Sequence, residues 1–275
     1  MPTLSIISWN MKNRESNWQS VLESGADVAL LQETGNPPEK SENLIDLSWD
    51  ENVKGASPRV AVAALSERIT FKVLKTQPIG GEDREALMVS RPGTIAAALV
   101  RLPESKEEIT IASLYAFWAY PLKQTSSSWI YADASCHRLI SDLSAFIGQQ
   151  NRHKIIVAGD FNILYGYGEG NSQYWKRRYD TVFDRMAVLG FRFMGPQAPG
   201  GGRQANPWPN ELPADSKNVP TYYSNRQTPE TAARQLDYVF ASEAIADRVK
   251  VRALNKPEHW GPSDHCRIMI ELEVK

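Results

Sequence analysis

The segment KIIVAGDFNI, residues 154–163, joins a continuous apolar run to polar residues at its end. The run 155–158 contains β-branched residues and no charge, which is typical of a strand buried on both faces of a sheet. Gly159 ends the run. Asp160 and Asn162 follow two residues apart, so both side chains would lie on one side of an extended chain. The segment predicts a central strand that carries a carboxylate and a carboxamide at its end.

The pair formed by Asp160 and Asn162 has two interpretations. A carboxylate and a carboxamide at a rigid strand end can align a water molecule and donate a hydrogen bond to an anionic oxygen, which are two requirements of phosphoryl transfer. An Asx turn that merely closes the strand explains the same residues. The motif alone does not separate the two, but the rest of the chain favours catalysis, because it repeats the arrangement.

Composition and charge limit the class of protein. The chain has 275 residues, 42% of them hydrophobic, and this predicts a single domain over residues 1–275. A net charge of -1 provides no general basic field, so a polyanion would need a local patch or metal ions. Cys136 and Cys266 form no disulfide framework and no zinc spacing. Without a signal peptide or a membrane-spanning apolar segment in the sequence, we expect a cytoplasmic monomer that does not bind membranes.

Two strands near the N-terminus also end in polar residues. Strand 4–8 leads to Asn10, and strand 27–31 leads to Glu33, which precedes the turn-forming stretch 35–38. A loop glutamate is ordinarily solvated, because glutamate is seldom buried without a partner. A glutamate between a buried strand and a turn nevertheless lies where loops carry binding sites. We therefore predict a functional role for Glu33.

The C-terminal part of the chain adds a second polar group. Asp237 interrupts the apolar strand 235–241, and a carboxylate at such a position requires a partner. Asp264 and His265 lie at the start of the last strand. A histidine beside an aspartate is usually structural, but here three other polar groups also lie at strand ends. The pattern predicts that Asp237 and His265 form a catalytic dyad.

The remaining pattern indicates many strands and few helices. Strands are predicted at 60–65, 69–74, 86–90, 94–100, 109–114, 219–224, 249–254 and 267–273, and helices at 18–23, 129–147 and 174–189. Because closely spaced strands without intervening helices pair with their neighbours, we expect mainly antiparallel pairing. Residues 40–58 give no prediction. Cys136 is expected on the buried face of its helix, and loop 195–218 is expected to be either a substrate-facing flap or disordered.

Aromatic and basic residues alternate at two places that are candidates for contacting substrate. One is the start of helix 174–189, with Trp175 and Arg177, and the other is Trp208 in the long loop. Such residues can stack on bases and bind a phosphate backbone, although a solvated helix face is the more common reason for the first pattern. We predict all three as substrate contacts.

Six short motifs occur in an order that resembles a known family. They are WN at 9–10, QE at 32–33, a strand ending in Tyr115, GDFN at 159–162, LDY at 236–238 and SDH at 263–265. Together they resemble the endonuclease/exonuclease/phosphatase superfamily, which includes apurinic endonucleases, DNase I-like nucleases, neutral sphingomyelinases, inositol polyphosphate 5-phosphatases and deadenylases. The resemblance implies an α/β protein of the α+β type, in which two mainly antiparallel sheets and flanking helices form a four-layer α/β/β/α sandwich.

The resemblance also implies hydrolysis of a phosphoester with a divalent cation, Mg²⁺ as the cofactor and Mn²⁺ as a substitute. The implied metal ligands are Glu33, Asn10 and Asp264. The implied catalytic residues are Asp160, Asn162, Tyr115, Asp237 and His265. In these roles Asp160 acts on the attacking water, and Asp237 orients His265, which serves either as a base or as a positive clamp on the phosphate.

One position departs from the pattern of the apurinic endonucleases. Lys12 stands where those enzymes carry a polar residue of the metal site, which weakens the assignment to abasic-site cleavage. DNase I-like members also carry a basic residue there. Lys12 is therefore predicted either as a contact to a substrate phosphate or as an exposed lysine.

Three functions compete. A nuclease acting on DNA or RNA is favoured, because aromatic and basic residues alternate near the predicted site. A phosphatase or phosphodiesterase acting on an inositol phosphate, a phospholipid or another small phosphoester is the alternative, which the near-zero net charge favours. An inactive binding module on the same fold is the third, and the retained polar residues argue against it.

Overall fold

The computed structural model describes residues 2–38, 41–50, 53, 59–118, 132–149 and 151–275. Within these ranges the chain forms fourteen strands and four α-helices. The strands are β1 (Thr3–Asn10), β2 (Val28–Gln32), β3 (Asp46–Trp49), β4 (Val60–Ala64), β5 (Thr70–Leu74), β6 (Thr76–Pro78), β7 (Leu87–Val89), β8 (Ile95–Arg101), β9 (Ile109–Tyr115), β10 (Ile155–Asp160), β11 (Phe191–Gly195), β12 (Asp237–Ser242), β13 (Val249–Ala253) and β14 (Ile268–Glu273). The helices are α1 (Asn17–Leu22), α2 (Ala132–Leu143), α3 (Gln173–Val188) and α4 (Glu243–Ala246).

Twelve of these strands form two six-stranded sheets. The first sheet has the order β13-β14-β1-β2-β4-β3, and the second has the order β11-β12-β10-β9-β8-β5. Strands β6 and β7 pair with each other. This small separate pair is parallel. Within the two six-stranded sheets most neighbours are antiparallel, as predicted, but two pairs are parallel, β1 with β2 and β9 with β10. Both parallel pairs lie in the middle of a sheet, and this brings the carboxyl ends of the paired strands to one edge.

The sheets and helices form four layers. Buried side chains of both sheets, among them Ile6 and Ile156, make the core between the sheets. Helix α1 packs Trp18 on the outer face of the first sheet. Helices α2 and α3 cover the outer face of the second sheet through residues such as Leu139 and Met186. This helix, sheet, sheet, helix order confirms the predicted sandwich.

Strand β10 lies inside this sandwich with both faces covered. All six of its residues are buried. Ile155 and Val157 point toward the helices of the outer layer, whereas Ile156 and Ala158 point into the core between the sheets. The alternation follows from the two-residue repeat of a strand, and it confirms the prediction of a strand buried on both faces.

Several predicted element boundaries are wrong. Strand β3 lies inside the segment 40–58, and its edge position leaves it half-exposed, which explains the missing apolar run. Residues 219–224 form no regular strand; Tyr222 makes isolated bridges to Arg234 and His265 instead. Helix α2 ends at Leu143 and continues only as a short 3-10 turn. The predicted helix start at 129–131 lies outside the described residues.

The long loop 195–218 is tied to itself by backbone and side-chain hydrogen bonds. The Ala198 amide donates to the Lys217 carbonyl over 2.9 Å, and the Gln204 side chain donates to the Ser216 carbonyl over 2.9 Å. All helices of the described residues fall short of the length and apolar character that crossing a bilayer requires.

Glu107 holds the C-terminal end of the chain. Its carboxylate accepts hydrogen bonds from Arg248 at 2.8 and 2.9 Å and from the Lys275 amide at 3.2 Å, and Lys154 lies 2.8 Å away. The Glu107 side chain is only 7% exposed and that of Arg248 only 12%. Arg248 lowers the pKa of Glu107, burial opposes this, and Lys154 adds to the lowering, with a result of about 2 instead of 4.5.

We expect Glu107→Gln to destabilise the protein by about 1 to 2 kcal/mol at neutral pH, because a pKa shift is worth about 1.4 kcal/mol for each unit and solvent screening reduces the total. The native state holds the Glu107 proton more weakly than the unfolded chain. Its contribution is therefore complete above about pH 4.5 and disappears as the pH falls toward about 2. Urea unfolding of both proteins across this range measures the difference. A difference that stays constant over the range would contradict the role of Glu107.

Candidate active site

The predicted residues meet at one edge of the sandwich because of the strand register. Asn10 ends β1 and pairs with Gln32, which places Glu33 directly beyond the end of β2. In the second sheet Asp160 pairs with Tyr115 on one side and with Asp237 on the other. Parallel strands end at the same edge, and Asp237 begins its antiparallel strand there. Both sheets therefore contribute side chains to one site.

Asn10 links the two sheets at this edge. Its side-chain amide donates to Glu33 Oε1 over 3.1 Å and to Asp160 Oδ2 over 3.0 Å, while its oxygen accepts the Lys12 amide over 2.9 Å. Asn10 is 1% exposed. One buried carboxamide thus holds two carboxylates of different sheets in place.

His265 lies between two buried aspartates. Its Nδ1 is 2.8 Å from Asp237 Oδ2, and its Nε2 is 3.8 Å from Asp160 Oδ2. Burial alone would lower the pKa of His265, but the charges of Asp237 and Asp160 outweigh it and raise this pKa to about 10. Burial and the charges of Asp237 and Glu33 raise the pKa of Asp160 to about 7, although the His265 cation opposes them. The site therefore holds an imidazolium at neutral pH beside a carboxyl group that titrates near neutrality.

Asp160 and Asn162 come together by a turn and not by an extended chain. Asp160 Oδ1 accepts the Asn162 amide over 2.9 Å, and the Asn162 side chain donates to Asp160 Oδ2 over 3.1 Å and to the Ala116 carbonyl over 3.2 Å. Asn162 has a φ of 50°, in the left-handed region. The extended geometry that the sequence suggested is wrong. The Asx turn is present, and it leaves both side chains in the cleft wall.

The strand ends and turns surround an open cleft of about 990 Å³. The predicted site residues that line it are Lys12, Glu33, Tyr115, Asp160, Asn162, Trp175, Asp264 and His265. Asn10 and Asp237 lie directly behind them, because both are almost completely buried.

A model of the Endonuclease/Exonuclease/phosphatase family matches residues 7–265, from the first strand to His265. The chain belongs to this family. A search of curated protein sequences gives no significant match. The family assignment makes the site that of a phosphoesterase, the activity that the nucleases and phosphatases of this family share.

Three solved structures show the same fold. The AP endonuclease LMAP from Leishmania major aligns with a TM-score of 0.64 at 16% identity, covering 99% of this chain and 88% of that one. The endonuclease domain of TRAS1, a telomere-specific non-LTR retrotransposon, aligns with a TM-score of 0.61 at 14% identity, covering 98% and 99%. The 3' phosphatase NExo from Neisseria, bound to a product DNA hairpin, aligns with a TM-score of 0.60 at 16% identity, covering 98% and 99%.

The donors in this family member suit a divalent cation that prefers oxygen. Carboxylates of Glu33, Asp160 and Asp264 line one cleft, and the charge of Glu33 contributes to the raised pKa of Asp160. Asp160, Asp237 and His265 also have ligand atoms within 4.8 Å of one another. In this second group Asp237 Oδ2 and His265 Nδ1 are already bonded to each other over 2.8 Å, which leaves fewer atoms free for a cation. The oxygen donors around Glu33 fit Mg²⁺ better than zinc.

Two of the predicted ligands have other partners. The oxygen of Asn10 accepts the Lys12 amide, so the side of Asn10 that faces the carboxylates carries hydrogen-bond donors. Asp264 Oδ2 lies 2.7 Å from Lys12 Nζ. Glu33 accepts hydrogen bonds from Asn10 and Asn13 and faces the cleft, so it is the best placed of the three predicted ligands.

The predicted substrate contacts lie in three different places. Trp175 lines the cleft but is only 5% exposed, because its ring packs in the core beneath helix α3. Arg177 is exposed on α3, and the described residues that line the cleft do not include it. Trp208 lines a neighbouring cavity. Their roles stay predictions.

Sequence reasoning missed the residues that position the dyad. Thr221 Oγ1 accepts the backbone amides of Leu236 at 3.0 Å and Asp237 at 3.1 Å, which fixes the start of β12. Ser263 Oγ donates to the Asn10 carbonyl over 2.7 Å. Ser263 belongs to the SDH motif and had a sequence signal. Thr221 follows a proline in an irregular segment and had none.

Proposed function

We propose that this protein is a divalent-metal-dependent nuclease that hydrolyses phosphodiester bonds of DNA or RNA. The observation that carries the proposal is the buried Asp160, His265 and Asp237 array on the floor of an open cleft with aromatic walls. The array supplies the charges that phosphoester hydrolysis needs, and the aromatic walls suit bases.

Asp160 is the residue proposed to take the proton of the attacking water. A general base works best when its pKa is close to the working pH, and burial raises the pKa of Asp160 to about 7. The hydrogen bonds from Asn10 and Asn162 fix the direction of its carboxylate. Asp160 therefore combines a fixed orientation with a suitable proton affinity.

His265 is proposed as a cationic clamp on the phosphate, and not as a base. Asp237 keeps its imidazolium protonated, and a protonated ring has no lone pair with which to accept a proton. The 3.8 Å between His265 Nε2 and Asp160 Oδ2 is longer than a hydrogen bond. A phosphate oxygen or a water can accept the Nε2 proton in the substrate complex.

Tyr115 and Lys12 supply two further donors. Burial, together with the charges of Asp160 and Glu33, raises the pKa of Tyr115 far above its usual value, so its hydroxyl keeps its proton. Lys12 lines the cleft with its ammonium group beside Asp264. Both residues are proposed to bind non-bridging oxygens of the phosphate. A divalent cation held by Glu33, with Asp264 and Asn10 nearby, would neutralise charge on the phosphate and on the leaving oxygen.

Two observations favour nucleic acid as the substrate. Trp118 is 47% exposed where it lines the cleft, and Tyr222 and Tyr179 add further rings to the walls. Related structures include AP endonucleases and a phosphatase bound to a DNA hairpin.

The test is cleavage of supercoiled plasmid and of single-stranded and abasic oligonucleotides, in Mg²⁺ and in EDTA. We expect cleavage in Mg²⁺ only, and its loss in His265→Ala, which also controls for contaminating nuclease. Intact nucleic acid throughout, with phosphate released from an inositol phosphate or another small ester, would overturn the nuclease proposal and keep the phosphoesterase.

Asp237→Asn is expected to change the pH dependence of the reaction. The substitution removes the charge that raises the pKa of His265 most, so the imidazolium loses its proton at lower pH. The alkaline limb of the profile of kcat/KM should move down by about one pH unit or more. Asp184→Asn, the same change at an exposed position of α3, should leave the profile in place. If Asp237→Asn lowered kcat/KM by the same factor at every pH and left the alkaline limb in place, Asp237 would not set the charge of His265.

A further inference from the structure

A second cavity, of about 730 Å³, adjoins the catalytic cleft. Gln227 and Arg234 belong to the walls of both. Most of its other lining comes from residues 207–211 of the long loop and from Gly170 and Asn171. A ligand that extends along the cleft past these shared residues therefore enters this cavity.

The lining of the second cavity is mainly apolar, and its charges are balanced. Its charged members are Arg234 and Glu211, which lie 3.8 Å apart. Arg234 also donates to both oxygens of Glu169, over 3.1 and 2.8 Å. No uncompensated cation among the described lining residues can hold a phosphate. The side-chain amides of Asn171 and Asn210 offer donors and acceptors for a neutral ligand, whereas the Gln227 amide is already bonded to Ser224 and Thr231.

Trp208 provides an aromatic wall that is held in place. Its indole Nε1 donates to the Leu212 carbonyl over 3.1 Å, and the Leu212 amide donates to the Pro209 carbonyl over 3.0 Å. Leu212 is buried in the core, whereas Trp208 remains 37% exposed. The Gly170 amide binds Glu211 Oε2 over 3.1 Å and ties this loop to the opposite wall. The ring is therefore oriented before any ligand arrives, which limits the entropy lost on binding.

We propose that this cavity binds a nucleobase of the substrate strand, stacked on Trp208, at a distance from the scissile phosphate. A base is neutral and planar, and its edge carries donors and acceptors that side-chain amides can meet. The balanced charge of the lining fits a base and not a phosphate. This inference rests on the proposed nuclease function and extends it to the choice of substrate length.

The test measures binding of fluorescently labelled oligothymidylates, from dinucleotide to octanucleotide, to the Asp160→Asn protein in Mg²⁺, so that the ligand stays intact. We expect affinity to rise at the length that reaches the second cavity. Adding Trp208→Ala should lower the affinity for the octanucleotide about ten-fold and abolish that rise. Adding Trp208→Phe, which keeps an aromatic face, should restore most of it, and thermal melting checks that each variant folds.

The matched control is Tyr174→Ala. Tyr174 is 58% exposed, more than Trp208. The described residues that line the two cavities do not include Tyr174. The Tyr174→Ala variant should bind each oligothymidylate with the same affinity as the Asp160→Asn protein. Three outcomes would overturn the base site and leave the nuclease function standing. In the first, Trp208→Ala leaves the affinity for the octanucleotide unchanged; in the second, it lowers the affinities for dinucleotide and octanucleotide equally; in the third, Tyr174→Ala lowers the affinity as much as Trp208→Ala does. No binding of any oligothymidylate to the Asp160→Asn protein would overturn the base site, whereas the nuclease function is decided separately by the cleavage of plasmid and abasic oligonucleotides.

Discussion

Asp160→Asn is expected to lower kcat by about a thousand-fold, because general base catalysis contributes factors of about 10² to 10⁴. The carboxamide has the shape of the carboxylate but cannot accept a proton from water. Its oxygen can still accept the Asn162 amide, so the Asx turn is retained. The measurement is the single-turnover rate on a phosphodiester substrate in saturating Mg²⁺. A rate within ten-fold of the parent would remove Asp160 from the chemical step.

The same substitution separates catalysis from folding. The pKa of Asp160 is raised in the native state, so its ionised form destabilises the fold as the pH rises from about 3.8 to about 7. Asp160→Asn removes this penalty but turns an NH2 group toward the donors of Asn10 and Asn162, so it should lose at most about 2 kcal/mol in unfolding experiments at pH ~8 without metal. Asp184→Asn, an exposed aspartate of helix α3, is the matched control and should keep both activity and stability. A large loss of stability in Asp160→Asn would mean that its effect on rate reports misfolding.

Gly159→Ala is expected to destabilise the protein by about 3 kcal/mol or more, the upper range for forcing an extra methyl group into a packed interior. A Cβ at this position would lie 1.9 Å from the Leu114 carbonyl oxygen and 2.8 Å from the Leu114 carbonyl carbon. Both atoms belong to the backbone of β9, which pairs with β10, so no flexible side chain can move aside. The two strands must separate, and Asp160 moves with them. Urea unfolding measures the loss of stability, and the cleavage rate of the remaining folded protein measures the displacement of Asp160.

Gly200→Ala is the control for this experiment. A Cβ at Gly200 meets no atom within 4 Å, and the residue lies in the long loop. Its effect on the unfolding free energy should stay within about 1 kcal/mol, because the main change is the lower entropy of the unfolded chain. Equal effects of the two substitutions would show that the approach of Gly159 to Leu114 is not what makes glycine necessary there.

Local patterns in the chain predicted most strands and the polar residues at their ends, whereas the four layers of the fold came from the resemblance to the family. Strand β10 was evident from an uninterrupted apolar run, because a strand buried on both faces has no place for polar residues. Glu33, Asp160, Asp237 and His265 were evident as polar residues at the ends of such strands. Strand β3 was missed because an edge strand half-exposed to solvent carries no apolar run. The strand at 219–224 was predicted wrongly because Tyr222 pairs only through isolated bridges, to Arg234 and His265, and not through a continuous ladder.

The arrangement within the site depended on distant parts of the chain. The ligand role that the sequence suggested for Asn10 stays a prediction, and only the packing of the two sheets reveals that its amide links Glu33 and Asp160. Sequence grouped Trp175, Arg177 and Trp208 by composition, whereas the folded chain places them in the cleft wall, on an exposed helix face and in a second cavity. A local pattern reports whether a side chain is apolar or polar and how the nearby backbone repeats. Distances between residues 150 positions apart, such as Asn10 and Asp160, arise only when the two sheets pack.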